Sequence, residues 1–299
     1  MNKYLSIDIG GTNVKYALLD HNGNLIKKNK IKTENTKDKF LDKLDTLIYS
    51  NTGEIKGIAI CAPGKIEKNE IHFGGSLPFL DGLNFVQRYK NLNLPIATIN
   101  DGKASVLAEN WLGSLKNISN CASITLGTGV GGGIIINGKL LNGVHYQAGE
   151  LSFIQMDVHD MSLNGMAGGY SSAVKMIEQI NRAINNPDIK DGKTAFEAII
   201  KGDVKAKQIY EEFCKRIAYL ILTIQAVDDL KRIAIGGGIS AQPCVIQGIN
   251  KAYDDMLNTN ELLKQTLTRP EIVEAKFKND ANIFGALNNL LIHINKNNN

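Results

Sequence analysis

Tyr4-Leu5-Ser6-Ile7-Asp8-Ile9-Gly10-Gly11-Thr12-Asn13-Val14-Lys15-Tyr16-Ala17-Leu18-Leu19 is an apolar run, a glycine-rich break and a second apolar run. The same order returns at Ala122-Ser123-Ile124-Thr125-Leu126-Gly127-Thr128-Gly129-Val130-Gly131-Gly132-Gly133-Ile134-Ile135-Ile136. Short apolar runs bounded by glycine read as strands, so each stretch is a strand, a turn and a strand. Two such units, at 4–19 and 122–136, imply an internal duplication. Each half would carry its own sheet, with a cleft between the halves.

Other elements follow outward from these units. Leu25–Lys32 reads as a third strand, and its basic run from Lys27 to Lys32 as a solvated strand edge. Phe40, Leu44, Leu47 and Ile48 give helical spacing across 35–50. Ile55–Cys61 and Ile96–Asn100 are short apolar strands, the second running straight into Asp101 and a helix to Leu112. Asn137-Gly138 marks a hairpin turn. Ile209, Phe213, Ile217, Leu220 and Ile224 lie on one face of a helix from Val204 to Val227, a core stripe. Ile233–Ile235 is a strand followed by Gly236-Gly237-Gly238, and 279–294 closes the chain as a helix. The Asn-rich end, Asn295 to Asn299, is expected to fray.

Glycine turns after apolar strands suit phosphate, because a residue without Cβ lets backbone N–H groups approach closely. Gly10-Gly11-Thr12 and Gly127-Thr128-Gly129 each add a Thr hydroxyl. Neither is a Walker A loop, since no Lys-Ser/Thr pair follows. Gly127-x-Gly129-x-x-Gly132 matches a dinucleotide fingerprint in spacing, but a strand follows it instead of a helix. One such turn alone reads best as a bare hairpin; two heading similar halves read as a shared polyphosphate site. Asp8, at the end of its strand, can hold Mg2+ through water or cap the following turn. Gly236, Gly237 and Gly238 suit the close packing of a flat group such as adenine. Asp101 can be the N-cap of its helix or the base that takes a proton in phosphoryl transfer, with Asn100 orienting a hydroxyl beside it. Glu150, after Gln147-Ala148-Gly149, can contact sugar hydroxyls from a loop.

The 299 residues suggest two domains. Thirty-four basic and 30 acidic residues give a net charge of +4, with no dense basic block interleaved with aromatics, so nucleic acid has little support as a partner. No apolar run reaches the ~18 residues of a membrane span, and Asp8 interrupts the first apolar stretch, against a signal peptide. Cys61, Cys121, Cys214 and Cys244 are widely spaced and read as buried thiols in a reducing cytoplasm.

Asp8-Ile-Gly-Gly-Thr12, Ala62-Pro63-Gly64, Asn100-Asp101, Leu126 to Gly133, Ala148-Gly149-Glu150 and Ile235 to Gly238 occur in an order that resembles the ROK family of sugar kinases, from about Tyr4 to the last helix. The resemblance implies an α/β, actin/hexokinase-like (ribonuclease H-like) duplicated fold. Its two domains would be 1–115 plus 279–299, and 116–278, flanking a cleft. It implies ATP and Mg2+ as cofactors, Asp101 as the base on a sugar 6-hydroxyl, and Asn100 and Glu150 as sugar contacts, with Gly75 and Ser76 beside the sugar. Cleft closure on sugar, a small-molecule sugar partner, a homodimer and a cytoplasmic location follow from it too.

Departures from the family's pattern are informative. Most members carry a His three residues after the Glu of Ala-Gly-Glu, then a cysteine cluster for structural zinc and a second sugar-binding Glu. Here Phe153 takes the His position, Met156 to Ser172 holds no Cys, and Gly168 stands for the second Glu. No zinc site is therefore expected, and His159 reads as a surface residue. The lost groups would face the anomeric carbon, and Phe153 puts an apolar face there. That pattern looks like the family's β-glucoside kinases, so a β-glucoside or β-linked disaccharide is the expected acceptor. N-acetylmannosamine kinase, glucokinase or fructokinase is the alternative. A non-catalytic sugar sensor would have lost the base, and Asp101 is present. Family repressors carry an N-terminal helix-turn-helix, for which a first strand starting by Tyr4 leaves no room. Lys103 stands where most relatives have a smaller polar residue.

Overall fold

The computed structural model describes residues 2–297 and divides them into two compact units. The first comprises the chain up to Asn117, Leu140–Gly149 and the stretch from Asp280; the second comprises Ile118–Lys139 and Glu150–Asn279.

In the first unit, β1 (Lys3–Ile9), β2 (Asn13–Asp20) and β3 (Leu25–Lys32) form an antiparallel meander. After α1 (Lys37–Tyr49) the chain adds β4 (Ile55–Ala62) parallel to β1. The small hairpin β5 (Lys65–Glu67) and β6 (Glu70–His72) and the single turn α2 (Phe85–Arg88) come next. Then β7 (Ile96–Asn100) pairs parallel to β4 and runs into α3 (Asp101–Leu112). The sheet order is β3-β2-β1-β4-β7.

From Tyr4 to Ile9 every residue of β1 is buried, as expected for a central strand covered on both faces. Successive side chains point to opposite faces. Leu5, Ile7 and Ile9 join the core built with Phe40, Leu44 and Ile48 of α1. Ser6 and Asp8 point the other way, to the C-terminal helix Ala281–Asn297, whose Ile283 carbonyl accepts the Ser6 hydroxyl at 2.6 Å. Gly285 of that helix lies so close to the Ala104 carbonyl of α3 that no Cβ would fit. At the opposite edge β3 is exposed almost throughout, and its four lysines blunt the open row of backbone groups.

The second unit repeats the plan. Antiparallel β8 (Cys121–Leu126) and β9 (Val130–Ile136) are followed by β10 (Lys139–Leu140). Four helices lead to the next strand, α4 (Ala167–Tyr170), α5 (Ala173–Ala183), α6 (Gly192–Lys201) and α7 (Val204–Asp228), and α8 (Pro243–Asn258) follows it. Strand β11 (Arg232–Gly237) pairs parallel to β8; after α9 (Glu261–Thr266), β12 (Glu271–Glu274) pairs parallel to β11. The order β10-β9-β8-β11-β12 matches the first sheet position for position.

The buried stripe of α7 is broader than the spacing predicts: Tyr210, Cys214, Ala218 and Ile221 join it, while Ile209 is half-buried at its margin. Asp203 caps the helix by accepting from the Ala206 N–H at 2.9 Å. All four cysteines are free; Cys61, Cys121 and Cys214 are buried and Cys244 half-buried. The last helix runs as far as Asn297, and the final two residues of the Asn-rich end expected to fray lie outside the described part. Among the described residues no helix is long and apolar enough to cross a membrane.

Candidate active site

Asp8, near the carboxyl end of β1, stands beside Cys61 of β4, and Cys61 stands beside Ile99 of β7. One residue further along, Ala62 pairs with Asn100, and Asp101 begins α3. The carboxyl ends of parallel strands are where open α/β sheets bind ligands. Here they gather two carboxylates and an amide. Burial raises the Cys61 thiol, and the charges of Asp8 and Asp101 on either side raise it further.

The N-cap of α3 is Asn100, one residue earlier than an Asp101 cap would be: its Oδ1 accepts the Lys103 N–H at 3.3 Å. Its Nδ2 donates to the Gly64 carbonyl at 2.9 Å. Both ends of the amide are thus oriented by backbone. Asp101 is left in the first turn of the helix, open to solvent on one side. Protein around its other sides strips water from the carboxylate and raises its pKa; the Gly102 N–H, donating at 2.8 Å, opposes this, and the charge of Asp8 adds to it. A carboxylate held above its ordinary range at a strand end has the features of a general base.

Asp8 is not capping the turn. Asn282 of the C-terminal helix donates to its Oδ1 at 3.0 Å, and the Lys15 ammonium lies 3.4 Å from its Oδ2. Lys15 sits directly across the β1–β2 hairpin, paired with Asp8. The sequence reading passed over both partners, although a lysine inside an apolar strand, opposite an aspartate, was a usable signal. Asn282 could not have been found that way, being 274 residues distant.

The rest of the first unit's expected residues converge here. The Ser76 hydroxyl lies over Gly11, 3.1 Å from where a Cβ would be; Gly75, at φ +57, is packed on Pro63. The Gly10 N–H closes its own turn onto the Asn13 carbonyl at 3.1 Å, and the Thr33 hydroxyl donates to the Gly10 carbonyl at 2.7 Å. That N–H is therefore committed to the turn, leaving Gly11 and Thr12 as its exposed edge.

In the second unit the Gly127 N–H likewise closes its turn, onto the Gly129 carbonyl at 3.0 Å. The Gly127 carbonyl accepts the Ala173 N–H at 3.0 Å, docking the start of α5 on the turn. Gly237, at φ +96, could hold no Cβ: one would strike the Leu126 backbone. By contrast a Cβ on Gly127 or Gly238 would meet nothing, and both line a cavity of about 320 Å³ whose walls include Leu126, Ile177, Phe196 and Ile239. Glu150 is half-buried at the head of the turn Leu151–Phe153, and Phe153 is 61% exposed. Ser152 donates to the Val130 carbonyl at 2.7 Å and packs on Gly168, bringing that turn against Gly129.

The segment after Phe153 is closed by an amide. Gln155 Nε2 donates to the carbonyls of Asp157 (2.5 Å), Asp160 (2.8 Å) and Gly165 (3.4 Å), and Asp157 and Asp160 cap its turns at His159 and Ser162. Among the described residues no group of three or more His, Cys, Asp or Glu is arranged to hold a metal. A magnesium ion beside Asp8 would draw its other ligands from phosphate oxygens and water, as Mg2+ commonly does. Two neighbouring carboxylates fit that chemistry.

A duplicated five-stranded frame with glycine turns at the strand ends defines a protein of the actin/hexokinase-like fold. The ROK family model matches residues 4–292. N-acetylmannosamine kinase from Haemophilus influenzae is 29% identical over 94% of this chain and 93% of its own. Beta-glucoside kinase from Listeria monocytogenes is 26% identical over 97% of both. A crystal structure of a ROK family protein from Streptococcus pneumoniae in complex with sucrose has a TM-score of 0.87 and 28% identity, covering 98% of this chain and 99% of the other. The chain belongs to the ROK family, as one of its sugar kinases.

Proposed function

We propose that this protein transfers the γ-phosphate of ATP to the 6-hydroxyl of a hexose unit, and that the preferred acceptor is a β-glucoside or β-linked disaccharide. The observation that carries the kinase reading is the placement of Asp101, at the carboxyl end of β7, and Asp8, at the carboxyl end of β1, at the same end of one parallel β1-β4-β7 run. Asp101 takes the proton of the acceptor hydroxyl. The sugar oxygen bonds to the γ-phosphorus as the bond from phosphorus to the ADP oxygen breaks. Asn100, held by Gly64 and Lys103, orients the hydroxyl, with Gly75, Ser76 and Glu150 as further sugar contacts. Gly10, Gly11 and Thr12 face the transferred phosphoryl group; Gly127, Thr128 and Gly129 face the remaining phosphates. The cavity lined by Gly127 and Gly238, at the end of the Gly236-Gly237-Gly238 run, takes the adenine. Mg2+, water-linked to Asp8, neutralises phosphate charge when bound.

The acceptor class is supported by Phe153, an exposed aromatic where a histidine would face a free anomeric hydroxyl. The likeness to a beta-glucoside kinase and to a ROK protein crystallised with sucrose, a disaccharide with no free anomeric hydroxyl, points the same way. N-acetylmannosamine is the second reading, favoured by the 29% identity to kinases of that sugar. Dependence on ATP, a sugar acceptor and free thiols fits a cytoplasmic setting.

Coupled ADP release with Mg·ATP tests this across glucose, N-acetylmannosamine, fructose, cellobiose and an aryl β-glucoside. Turnover concentrated on the β-linked substrates is expected. Preference for a free monosaccharide removes the acceptor class and keeps the kinase, whereas silence on all five favours a sensor. EDTA should abolish turnover, and a zinc-selective chelator should leave it unchanged.

A further inference from the structure

Lys103 lies in the first turn of α3, two residues after Asp101, and only 4% of it is exposed. Lysine is almost never buried so deeply unless its ammonium is paired. Here the ammonium donates to the Tyr146 carbonyl at 2.7 Å and to Asn142 Oδ1 at 3.3 Å. Both acceptors belong to Leu140–Gly149, the segment that groups with the first unit although the chain on either side of it belongs to the second.

That segment has little else to define it. Beyond Leu140 it carries no helix or strand. The Ala148 N–H closes it onto the Asn142 carbonyl at 3.2 Å, and Gly143 and Tyr146 adopt left-handed backbone, φ +71 and +58. Asn142 to His145 and Gln147 are exposed. A small closed loop with solvent around it stays in place through whatever anchors it from within. Charge-assisted hydrogen bonds from a buried ammonium to a loop carbonyl and a loop amide are a strong anchor. The loop leads through Ala148 and Gly149 directly into Glu150.

We infer that Lys103 is a positioning residue for the acceptor: it latches the Asn142–Tyr146 loop to the helix that begins with the base, and so fixes the run into Glu150. The inference rests on the sugar-kinase reading. A latch of this kind affects the sugar and not the nucleotide, since Asn142 and Tyr146 both lie on the loop that leads into Glu150. The effect is a misplacement of a contact, a change to which well-oriented reactions are sensitive.

Lys103→Met keeps an unbranched side chain one atom shorter and removes its donors. The expected result is a rise of about tenfold in the KM and calorimetric Kd of the acceptor sugar, with the KM for Mg·ATP within about twofold of wild type. Backbone amides of 141–149 should exchange hydrogen faster in the ligand-free protein. Lys103→Arg, which restores donors, should recover most of the sugar affinity. Should the Met variant not fold, Asn142→Ala removes one acceptor at the exposed end of the same contact, the longer of the two, and should weaken sugar binding about threefold, less than the loss of both contacts. Unchanged sugar affinity in both variants, or an equal rise in both KM values, overturns the positioning role. Exchange is read without substrate, so unchanged exchange overturns the latch by itself. Absence of turnover by the wild-type protein would sink the kinase reading instead.

Discussion

The two strand–turn–strand units share a frame and differ in what fills it. Two residues before the first glycine of each turn stand Asp8 and Thr125. Across the hairpin Asp8 faces Lys15, whereas Thr125 faces Gly131; on the parallel side Asp8 neighbours Cys61, whereas Thr125 neighbours Gly236. One copy surrounds the position with a carboxylate, an ammonium and the Asn282 amide. The other surrounds it with residues that have no side chain. Duplication supplied one backbone, and substitution at a few register positions made one half a place for charge and the other a place for bulk. On the proposed function, that division matches what phosphoryl transfer asks of a protein: a proton acceptor and charge neutralisation in one half, room for a nucleotide in the other.

The largest effect expected from this contrast falls in the first half. Asp101→Asn keeps the helix, because the cap is Asn100, but should lower kcat by about 10²- to 10⁴-fold, the usual worth of a general base. Calorimetry should show sugar binding near wild type. Near-normal turnover would take the base out of the charged half and end the comparison. In the second half the sharpest test is a pair of neighbours. Gly237→Ala drives a Cβ into the Leu126 backbone at a positive φ and should cost at least about 2 kcal/mol in denaturant unfolding. Gly238→Ala meets nothing and should leave stability within about 0.5 kcal/mol. Its methyl group borders the cavity, and it should raise the KM for ATP while sparing that of the sugar.

The frame was legible in the sequence because it is carried by local signals. Apolar runs such as Tyr4–Ile9, and glycines at their ends, report strands and turns without help from distant residues. Asn100 and Asp101 were visible for the same reason, although the cap, one of two readings for Asp101, is Asn100: only the backbone angles of the junction show which residue precedes the helix. What escaped was long-range or depended on orientation. Asn282 reaches Asp8 from the far end of the chain, and the Gly10 and Gly127 N–H groups, read as phosphate donors, are spent on closing their own turns. Lys103 could be seen as a departure, but its partners on 142–146 become apparent only once that loop folds back on α3.

Thr12→Ala and Thr128→Ala place one change in each half. A hydroxyl bound to a charged phosphate contributes about 1.5 kcal/mol, so each variant should raise the KM for ATP about tenfold and that for sugar far less. An effect of Thr12→Ala on the sugar alone would show that the first turn is not a phosphate turn, and the likeness of the two turns would then be one of backbone only.

The smallest effect concerns how the charged half sets its own acidity. As the proposed base, Asp101 would have to be ionised to accept a proton, and its carboxyl is raised by loss of water and by Asp8. The kcat/KM for sugar should therefore fall as pH drops through a value above the ordinary carboxylate range, and be fully restored above it. Asp8→Asn preserves the shape and removes the like charge, so the Asp101 carboxyl should titrate lower and the acidic limb move to lower pH. The same variant should need more Mg2+ for half-maximal rate, because the water-linked carboxylate is gone. A limb that stays in place would mean that loss of water alone raises Asp101. The pairing of Asp8 with Lys15 would then already neutralise its charge toward Asp101, and the first half would separate metal binding from proton transfer across β1 and β7, with β4 between them.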